Sequence, residues 1–371
     1  MLRFILWLLW DFTGLRFVWE KIRPPIDPAK QKRPPATIMI WALGILGLYI
    51  ALFGLASQRY ENRIAIVENR ANAVLIQLAT PAFKQAISKV ATIQNMDCPP
   101  KPNLLEPLSV LRSLFSEPGK YVEMVQYLKE TVEDWKDSLD GADLSRADLK
   151  NGSLDRANLN KANLLGANLQ GANLEGASLQ GASLWEVNLQ QANLKGAFLQ
   201  EANLRGANLR EANLLGGNLE QASLMEANLQ KAYLEKAYLS EAYLGNANLR
   251  EADLREADLE KAELPEADLE KADLAKADLR RAYLGKARLP MANLESTDLR
   301  QADLLEANLQ EAKLNGANLG GTLLIATNLR GASDLTVNQL CRAQTLHRSQ
   351  LDPELEKQVQ QTCPQLLEQP Q

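Results

Sequence analysis

The chain has few of the side chains on which most protein chemistry depends. Histidine occurs once in 371 residues, at His347, and cysteine three times, at Cys98, Cys341 and Cys363. This scarcity argues against histidine-based catalysis, histidine-rich metal sites and zinc sites built from cysteine pairs. The sequence also lacks a phosphate-binding loop and a nucleophile elbow. We therefore predict no catalytic, cofactor-binding or metal-binding residues, and a protein that is not an enzyme.

Aromatic residues are also scarce, at 6% of the chain, although hydrophobic residues make up 46%. The apolar content is mostly leucine and alanine in a strict order. A leucine occupies every fifth position from Leu139 to Leu329, and the residue two places before it is nearly always alanine. A period of five fits neither a helix nor a plain strand. A short repeat sustained this long predicts a solenoid, in which each unit buries its apolar face against its neighbours.

The repeated unit is Ala-(Asn/Asp)-Leu-X-X, as in Ala-Asn-Leu-Gln-Gly at residues 167–171. It resembles the pentapeptide-repeat family over slightly more than half of the chain. The resemblance implies a mainly β fold, a right-handed quadrilateral β-helix with four pentapeptides, about 20 residues, in each coil. The leucine and the small residue then point inward, and the solenoid is roughly 45–50 Å long. Glycines at the last position of a unit, such as Gly166, suit tight corners.

One apolar run is long enough to cross a membrane. Residues 36–56 contain no charged side chain, over the length that the hydrocarbon core requires. We predict a transmembrane helix there, with a buried core helix as the alternative. Residues 1–35 begin with an apolar stretch that is too short to span. We interpret it as an interfacial helix followed by a basic linker, with a buried globular helix as the alternative.

Lysine and arginine are more frequent before this run than after it. The preceding residues are Arg16, Lys21, Arg23, Lys30, Lys32 and Arg33, and the following ones are Arg59, Arg63 and Arg70. Basic flanks favour the cytoplasmic side of a membrane. The bias predicts a single-pass membrane protein whose solenoid lies on the non-cytoplasmic side, in a periplasm or a lumen.

Helices are predicted on both sides of the solenoid. Residues 57–138 form a helical juxtamembrane region that ends in an amphipathic helix from about Lys120 to Asp137. The apolar face of this helix is predicted to hold Val122, Val125, Leu128, Val132, Trp135 and Leu139. A solenoid exposes unpaired strand edges at its ends, and we expect this helix to cover the first of them.

The pentad frame slips after residue 331. Residues 332–371 are predicted to form a helical C-terminal cap, with helices that begin after Thr336 and after Asp352. The predicted division of the chain is therefore 1–35, 36–56, 57–138, 139–331 for the β-helix, and 332–371.

Cys341 and Cys363 flank the two predicted C-terminal helices. A disulfide between them would fasten the helices together and would fit an oxidising compartment. Two buried free thiols are the alternative. Cys98 would then be unpaired, which weakens the argument for an oxidising compartment.

Counting in steps of 20 assigns residues to the four walls of the solenoid. One wall collects large apolar and aromatic side chains around its leucines: Leu165, Trp185, Met225, Tyr243, Tyr283, Leu305, Leu323 and Ile325. The corresponding positions of the next wall are mostly glutamine, lysine and arginine. An exposed stripe of this kind predicts a docking surface, and scattered surface hydrophobes are the alternative.

Acidic residues concentrate in residues 251–278, named here the acidic collar. Paired carboxylates can bind a cation or act as acids and bases. The counting places these carboxylates on different sides of the coil, or on an open wall without a pocket. A solvated face is therefore the preferred interpretation.

Together these features favour a non-enzymatic, membrane-anchored scaffold that presents a rigid β-helical solenoid to an unknown protein partner. It would contact lipid through its transmembrane helix and would need no cofactor and no nucleic acid; self-association into a homo-oligomer is left open. Some pentapeptide-repeat proteins resemble DNA in size and charge and inhibit type II topoisomerases, which is one alternative. The membrane span and the confinement of acidity to one belt depart from that pattern. The other alternative is an assembly factor or subunit of a membrane complex.

Overall fold

The computed structural model describes residues 36–78 and 83–369. The chain divides into two compact units. The first comprises residues up to Asn69 together with Met96–Tyr121, and the second comprises Arg70–Asn95 together with the chain from Val122 onward. The interfacial helix and basic linker predicted for residues 1–35 lie outside the described residues, as do the basic residues that precede the predicted span.

Helix α1 runs from Ala36 to Leu78 and contains 43 residues. Among the described helices it alone is long and apolar enough to cross a membrane, judged by length and composition. Its apolar side chains are largely exposed, as at Leu43, Ile45 and Leu48. The helix continues well past residue 56, where the predicted span ends. Only the uncharged run ends at residue 56. The charged residues beyond it are compatible with a helix but not with the lipid core.

Short elements connect α1 to the solenoid. They are α2 (Phe83–Ile87), α3 (Val90–Gln94), β1 (Asp97–Cys98), α4 (Pro107–Phe115), β2 (Gly119–Lys120), α5 (Val122–Asp134) and a 3-10 turn (Lys136–Ser138). Within the first unit, β1 and β2 pair antiparallel, with Cys98 opposite Gly119. Within the second unit, α3 packs against α5.

The solenoid has the predicted period. Every leucine of the pentad from Leu139 to Leu329 is buried. Parallel backbone bridges join residues 20 positions apart, such as Asn168 to Asn188 and Tyr243 to Glu263. Four pentapeptides therefore form one coil, and stacking the coils buries the leucine and alanine side chains that no single unit could shield.

The corners of the coil are tight turns. At one of them the Ala207 N–H donates to the Leu204 carbonyl at 3.0 Å. The residue before the alanine adopts a left-handed conformation, which glycine accommodates at Gly166, with φ of 59°. Glu211 and Lys231 adopt the same conformation, each with φ of 58°. The hydrogen bonds of the ladder hold a side chain at these corners against a cost of about 1 kcal/mol per residue.

Side chains of the preceding segment pair with the open edge of the first coil. Gln94, at the end of α3, is buried. Its amide accepts a hydrogen bond from the Asp148 N–H at 2.8 Å and donates one to the Asp148 carbonyl at 3.0 Å. Glu133 of α5 accepts from the Ser153 N–H at 2.9 Å. These side chains take the place of a preceding coil, so the strand edge is covered.

Helix α5 is the predicted last helix before the solenoid, but it buries only part of the predicted face. Leu128 and Val132 are buried as predicted, whereas Val122 and Trp135 are exposed and Met124 is buried. The difference arises because α5 packs against α3. Helical periodicity identifies an apolar face, but the position of the neighbouring helix decides which part of that face is covered.

We expect the substitution Gln94→Leu to lower the free energy of unfolding of the first coils by about 1–3 kcal/mol, because it removes both hydrogen bonds to the Asp148 main chain. The matched control is Gln126→Leu, which changes an exposed glutamine of α5. Amide hydrogen exchange of the full-length protein in detergent micelles should become faster around Asp148 in the first variant only. Equal exchange in the two variants would show that Gln94 does not cap the solenoid.

Two helices follow the solenoid, as predicted. Helix α6 spans Val337–Leu340, and Thr336 caps it through reciprocal hydrogen bonds with Gln339. The Gln339 amide also donates to the carbonyl of Leu314 at 2.8 Å, on the last complete coil. Helix α7 spans Pro353–Thr362, and a 3-10 turn at Pro364–Leu367 follows it.

Between α6 and α7 the chain returns to the ladder, which the prediction of a purely helical cap missed. Thr345 bridges to Leu323 and Gln350 bridges to Asn328, and Leu346 is fully buried. These bridges join residues 22 positions apart, not 20. The two additional residues accommodate α6. Because they break the period of five, the sequence pattern does not reveal that the ladder continues.

Candidate protein-docking wall

The ladder places the eight predicted docking residues on one side of the solenoid, named here the aromatic wall. Successive bridges join the residues that precede its leucines: Ser183, Asn203, Ser223, Tyr243, Glu263, Tyr283, Asp303 and Leu323. Leu165, Trp185, Met225, Leu305 and Ile325 follow leucines of the same wall. At the strand spacing of about 4.8 Å per coil, the wall extends roughly 38 Å from Leu165 to Ile325.

The aromatic side chains and one methionine provide most of the exposed apolar area of this wall. Trp185, Met225, Tyr243 and Tyr283 are exposed. The four aliphatic residues, Leu165, Leu305, Leu323 and Ile325, are half-buried. A partner would therefore meet mainly rings and a thioether, which are side-chain types that protein interfaces favour.

A glycine of the same wall makes room for one of the rings. A β-carbon at Gly285 would lie 2.6 Å from Oη of Tyr283, so the tyrosine lies across the glycine. Glycine at this position lets the ring lie close to the backbone.

The aromatic wall carries one charged side chain that is paired and one that is not. Arg205 is neutralised by Glu226, with its Nη2 2.7 Å from the carboxylate. Glu263 is exposed and lies in the ladder between Tyr243 and Tyr283. Within the described part of the chain no lysine or arginine nitrogen lies within 4.0 Å of its carboxylate. One uncompensated negative charge therefore lies between two exposed aromatic rings.

The neighbouring wall, named here the asparagine wall, is polar and internally bonded. Asparagines occur at every coil from Asn168 to Asn248, and each amide from Asn188 onward donates to the amide oxygen one coil earlier at 3.3–3.4 Å. The same oxygens accept from the N–H two residues further on, as Asn188 does from Gln190 at 3.2 Å. Because these amides are already hydrogen-bonded within the solenoid, the asparagine wall has fewer groups available to bind a partner than the aromatic wall has.

Four further large apolar side chains are exposed on the solenoid and were not predicted. They are Phe198, Tyr233, Tyr238 and Met291. Tyr233 and Tyr238 belong to the same coil as Tyr243, so this coil presents tyrosine on three successive walls. The sequence carries the signal in three consecutive Ala-Tyr-Leu units, at residues 232–234, 237–239 and 242–244.

The acidic collar is largely neutralised by bases of the same or the next coil. Arg255 lies 2.6 Å from Asp253 and 3.0 Å from Glu235, and Arg280 lies 2.6 Å from Asp278 and 2.9 Å from Glu260. Burial alone would raise the pKa of Asp253, but the hydrogen bonds and charge of Arg255 outweigh it and lower that pKa. A carboxylate held ionised in this way is a poor general acid at neutral pH.

The remaining groups with catalytic or metal-binding chemistry lie apart. Among the described residues, no group of three or more His, Cys, Asp or Glu side chains is placed to hold a metal ion. His347 is half-buried, with Nδ1 3.4 Å from the Leu367 carbonyl. Cys98 is a buried free thiol. Burial raises the pKa of the Cys98 thiol, which keeps it protonated and unreactive at neutral pH.

Cys341 and Cys363 form a disulfide, with their Cα atoms 5.8 Å apart. Cys341 follows α6 and Cys363 follows α7. The bond therefore joins the C-terminal ends of the two helices and encloses the part of the ladder that contains Thr345 and Gln350.

Several solved structures are similar to the repeat region. HetL, from the cyanobacterium Nostoc sp. strain PCC 7120, is 36% identical over 52% of this chain and 89% of its own, with a TM-score of 0.32. QnrB1, a plasmid-mediated fluoroquinolone resistance protein, is 13% identical over 54% of this chain and 95% of its own, with a TM-score of 0.30. A pentapeptide repeat protein from the Arabidopsis thaliana thylakoid lumen is 26% identical over 30% of this chain and 68% of its own, with a TM-score of 0.16. With TM-scores this low, none of the three bears on what this chain does.

No curated protein matches the chain at a significant level. The family described as Pentapeptide repeats matches it in eight copies, spread over residues 138–333. This match covers more than half of the chain and coincides with the ladder of buried leucines. The protein therefore belongs to the pentapeptide-repeat family, whose fold is a right-handed β-helical solenoid.

Proposed function

We propose that the protein is a non-enzymatic scaffold that is anchored in a membrane by α1 and docks a protein partner on its aromatic wall. The observation that carries the proposal is the alignment of Trp185, Met225, Tyr243 and Tyr283, all exposed, on one wall. Pentapeptide-repeat proteins are generally structural or interaction proteins, which agrees with this role.

The solenoid supports docking because it holds its surface side chains on a rigid backbone. Tryptophan, tyrosine and methionine supply large contact areas at interfaces. Rings that are already placed lose little conformational freedom when a partner binds. The asparagine wall, with its amides bonded to one another, provides an internal comparison in the same coils.

The charge of the aromatic wall indicates the chemistry of the partner. Glu263 is exposed between Tyr243 and Tyr283. A lysine or arginine side chain there would pair with the carboxylate and approach the ring faces, at about 0.5–1 kcal/mol for each cation–π contact at an exposed site. We therefore expect the partner to present a basic side chain to this part of the wall.

The membrane part of the proposal depends on α1. Its uncharged stretch, residues 36–56, matches the thickness of a bilayer core. The disulfide between Cys341 and Cys363 fits an oxidising compartment, and so does the excess of basic residues before the span. Both observations support a solenoid on the periplasmic or lumenal side of a single-pass protein.

The two alternatives fit the structure differently. A subunit or assembly factor of a membrane complex would use the same wall and the same anchor, so it is a particular form of the proposal. A DNA mimic depends on uncompensated negative charge along the solenoid. In the acidic collar, however, Arg255 pairs with Asp253, and Arg280 pairs with Asp278 and Glu260.

The test is the double substitution Trp185→Ala and Met225→Ala in the full-length protein. The matched control is Gln190→Ala with Gln230→Ala, which changes the corresponding position of the same coils on the asparagine wall. We expect the first variant to lose tenfold or more of its partner occupancy, because truncating buried interface anchors costs about 1–2 kcal/mol each.

Partner occupancy is measured after capture from detergent-solubilised native membranes, and self-association by sedimentation of the purified proteins. Circular dichroism verifies that both variants keep the fold. Equal partner recovery and equal sedimentation for the two variants would exclude the aromatic wall as the docking surface.

A further inference from the structure

Helix α4 carries an apolar stripe that no part of its own unit covers. Leu105, just before the helix, is 87% exposed, and Leu108 and Phe115 are 68% and 79% exposed. Leu104 and Leu111 are exposed too. Within α4, the spacing of three and four residues aligns Leu108, Leu111 and Phe115 along one face of the helix. A soluble surface rarely presents so continuous an apolar stripe.

The same segment is bonded to α1 within the first unit. The Tyr49 hydroxyl donates to the Leu104 carbonyl at 2.5 Å, and the Arg59 guanidinium donates to the Leu114 carbonyl. Residues 104–114 therefore run alongside α1 from Tyr49 to Arg59. Tyr49 lies inside the uncharged run of α1, about 10 Å before its end at Ala56.

These bonds place the start of the α4 segment at the depth of the proposed span. A backbone carbonyl that enters lipid without a partner costs several kcal/mol. The Leu104 carbonyl, which precedes α4, has a partner in the Tyr49 hydroxyl. This bond also gives a reason for a polar group in an otherwise apolar run. At the other end, Arg59 binds the Leu114 carbonyl, beyond the end of the uncharged run of α1.

We propose that residues 104–115 form an interfacial element that is embedded in the same leaflet as the C-terminal end of the span, with the exposed stripe of α4 among the acyl chains. The inference rests on the membrane anchoring proposed above. The segment runs alongside α1 and not in the membrane plane. Its depth, about 10 Å from Ala56 to Tyr49, is still within the roughly 5–10 Å that the apolar faces of interfacial helices reach. Arg112 shares the exposed side, and its long stem allows the guanidinium to reach the headgroups.

The occupant is the bilayer and not a second protein, because the stripe continues the exposed apolar surface of α1. Leu48 and Leu55 of α1 are exposed on either side of the Tyr49 level. The two surfaces belong to helices joined by hydrogen bonds in one unit. Lipid that surrounds the exposed surface of α1 at this depth therefore also contacts the stripe of α4.

The test uses an environment-sensitive fluorophore on single introduced cysteines in the full-length protein, with Cys98→Ser as background and the disulfide intact. The positions are Leu105→Cys and Phe115→Cys for the stripe, Leu48→Cys as the reference within the uncharged run of α1, and Glu68→Cys as the exposed reference on α1 beyond that run. Each protein is reconstituted into phosphatidylcholine vesicles with or without nitroxide-labelled acyl chains. We expect quenching at 105 and 115 of roughly half that at 48 or more, from the expected insertion depth, and none at 68, which lies about 18 Å beyond Ala56 along α1.

The probe at Leu48 distinguishes a failure of the interfacial element from a failure of the membrane anchor. Quenching at 48 without quenching at 105 and 115 would overturn the interfacial element and leave the span intact. In that case a blue-shifted but unquenched probe at 105 or 115 would indicate a protein neighbour. No quenching at 48 would overturn the membrane anchor itself, and the interfacial element with it.

Discussion

Replacing Leu209 with alanine is expected to lower the free energy of unfolding by about 3–5 kcal/mol, more than the other single substitutions considered. Leu209 is fully buried, and leucines one coil away on each side, Leu189 and Leu229, are fully buried too. The Leu209 N–H donates to the Asn228 carbonyl at 2.7 Å. Because the ladder fixes the spacing of the coils, the walls cannot collapse into the cavity, and most of its cost remains.

The measurement is denaturant unfolding of the full-length protein in detergent micelles, with amide hydrogen exchange to locate the effect. The matched control is Arg210→Ala, the exposed next residue, which is expected to change stability by no more than about 0.5 kcal/mol. Exchange should accelerate mainly in the coils next to Leu209, because a solenoid is stabilised by nearest-neighbour contacts. A Leu209→Ala protein as stable as the Arg210→Ala protein would mean that the leucines do not form the core.

Reduction of the disulfide between Cys341 and Cys363 is expected to destabilise the C-terminal cap by about 3 kcal/mol, from the chain entropy that a loop of this size regains when unfolded. The cysteines are 22 residues apart. The enclosed segment contains α7 and the last bridges of the ladder, at Thr345 and Gln350. Loosening it would expose the edge of the final coil near Leu324 and Leu329.

This expectation is tested by unfolding the wild type and the Cys341→Ser/Cys363→Ser variant with and without a reductant. The wild type should lose stability on reduction, and the variant should be as unstable as the reduced wild type and insensitive to reductant. A wild type that does not respond to complete reduction would contradict the role of the disulfide in the cap. If a thiol reagent labels neither cysteine in intact cells, the solenoid lies in an oxidising compartment. If it labels both, the free thiols would argue for the cytoplasm.

The repeat could be predicted almost completely because it is local. Each leucine from Leu139 to Leu329 occupies the same place in a pentad, so one correct assignment of inside and outside applies to all of them. The same counting placed Tyr243 and Tyr283 on one wall, and their bridges through Glu263 agree with it. The helices that begin after Thr336 and Asp352 were predictable for a similar reason, because their capping residues are adjacent in the chain.

Features that depend on distant contacts could not be predicted in this way. Gln94 lies 54 residues before Asp148, and nothing in the sequence around either residue links them. Val122 was assigned to the buried face of α5, but the position of α3 leaves it exposed. The ladder beyond Leu329 was missed because two additional residues break the period of five.

The sequence by itself determined the pentad, its buried residues and their phase, since a repeat with constant spacing leaves a single consistent phase. The count of four pentads per coil, from which the walls follow, came from the resemblance to the pentapeptide-repeat family, and the bridges between residues 20 positions apart agree with it. Only the tertiary structure decided how the ends are closed, which acids are neutralised and that Tyr49 binds the Leu104 carbonyl. These contacts join segments without common periodicity. Their geometry depends on how separate elements pack, and no local pattern of residues records it.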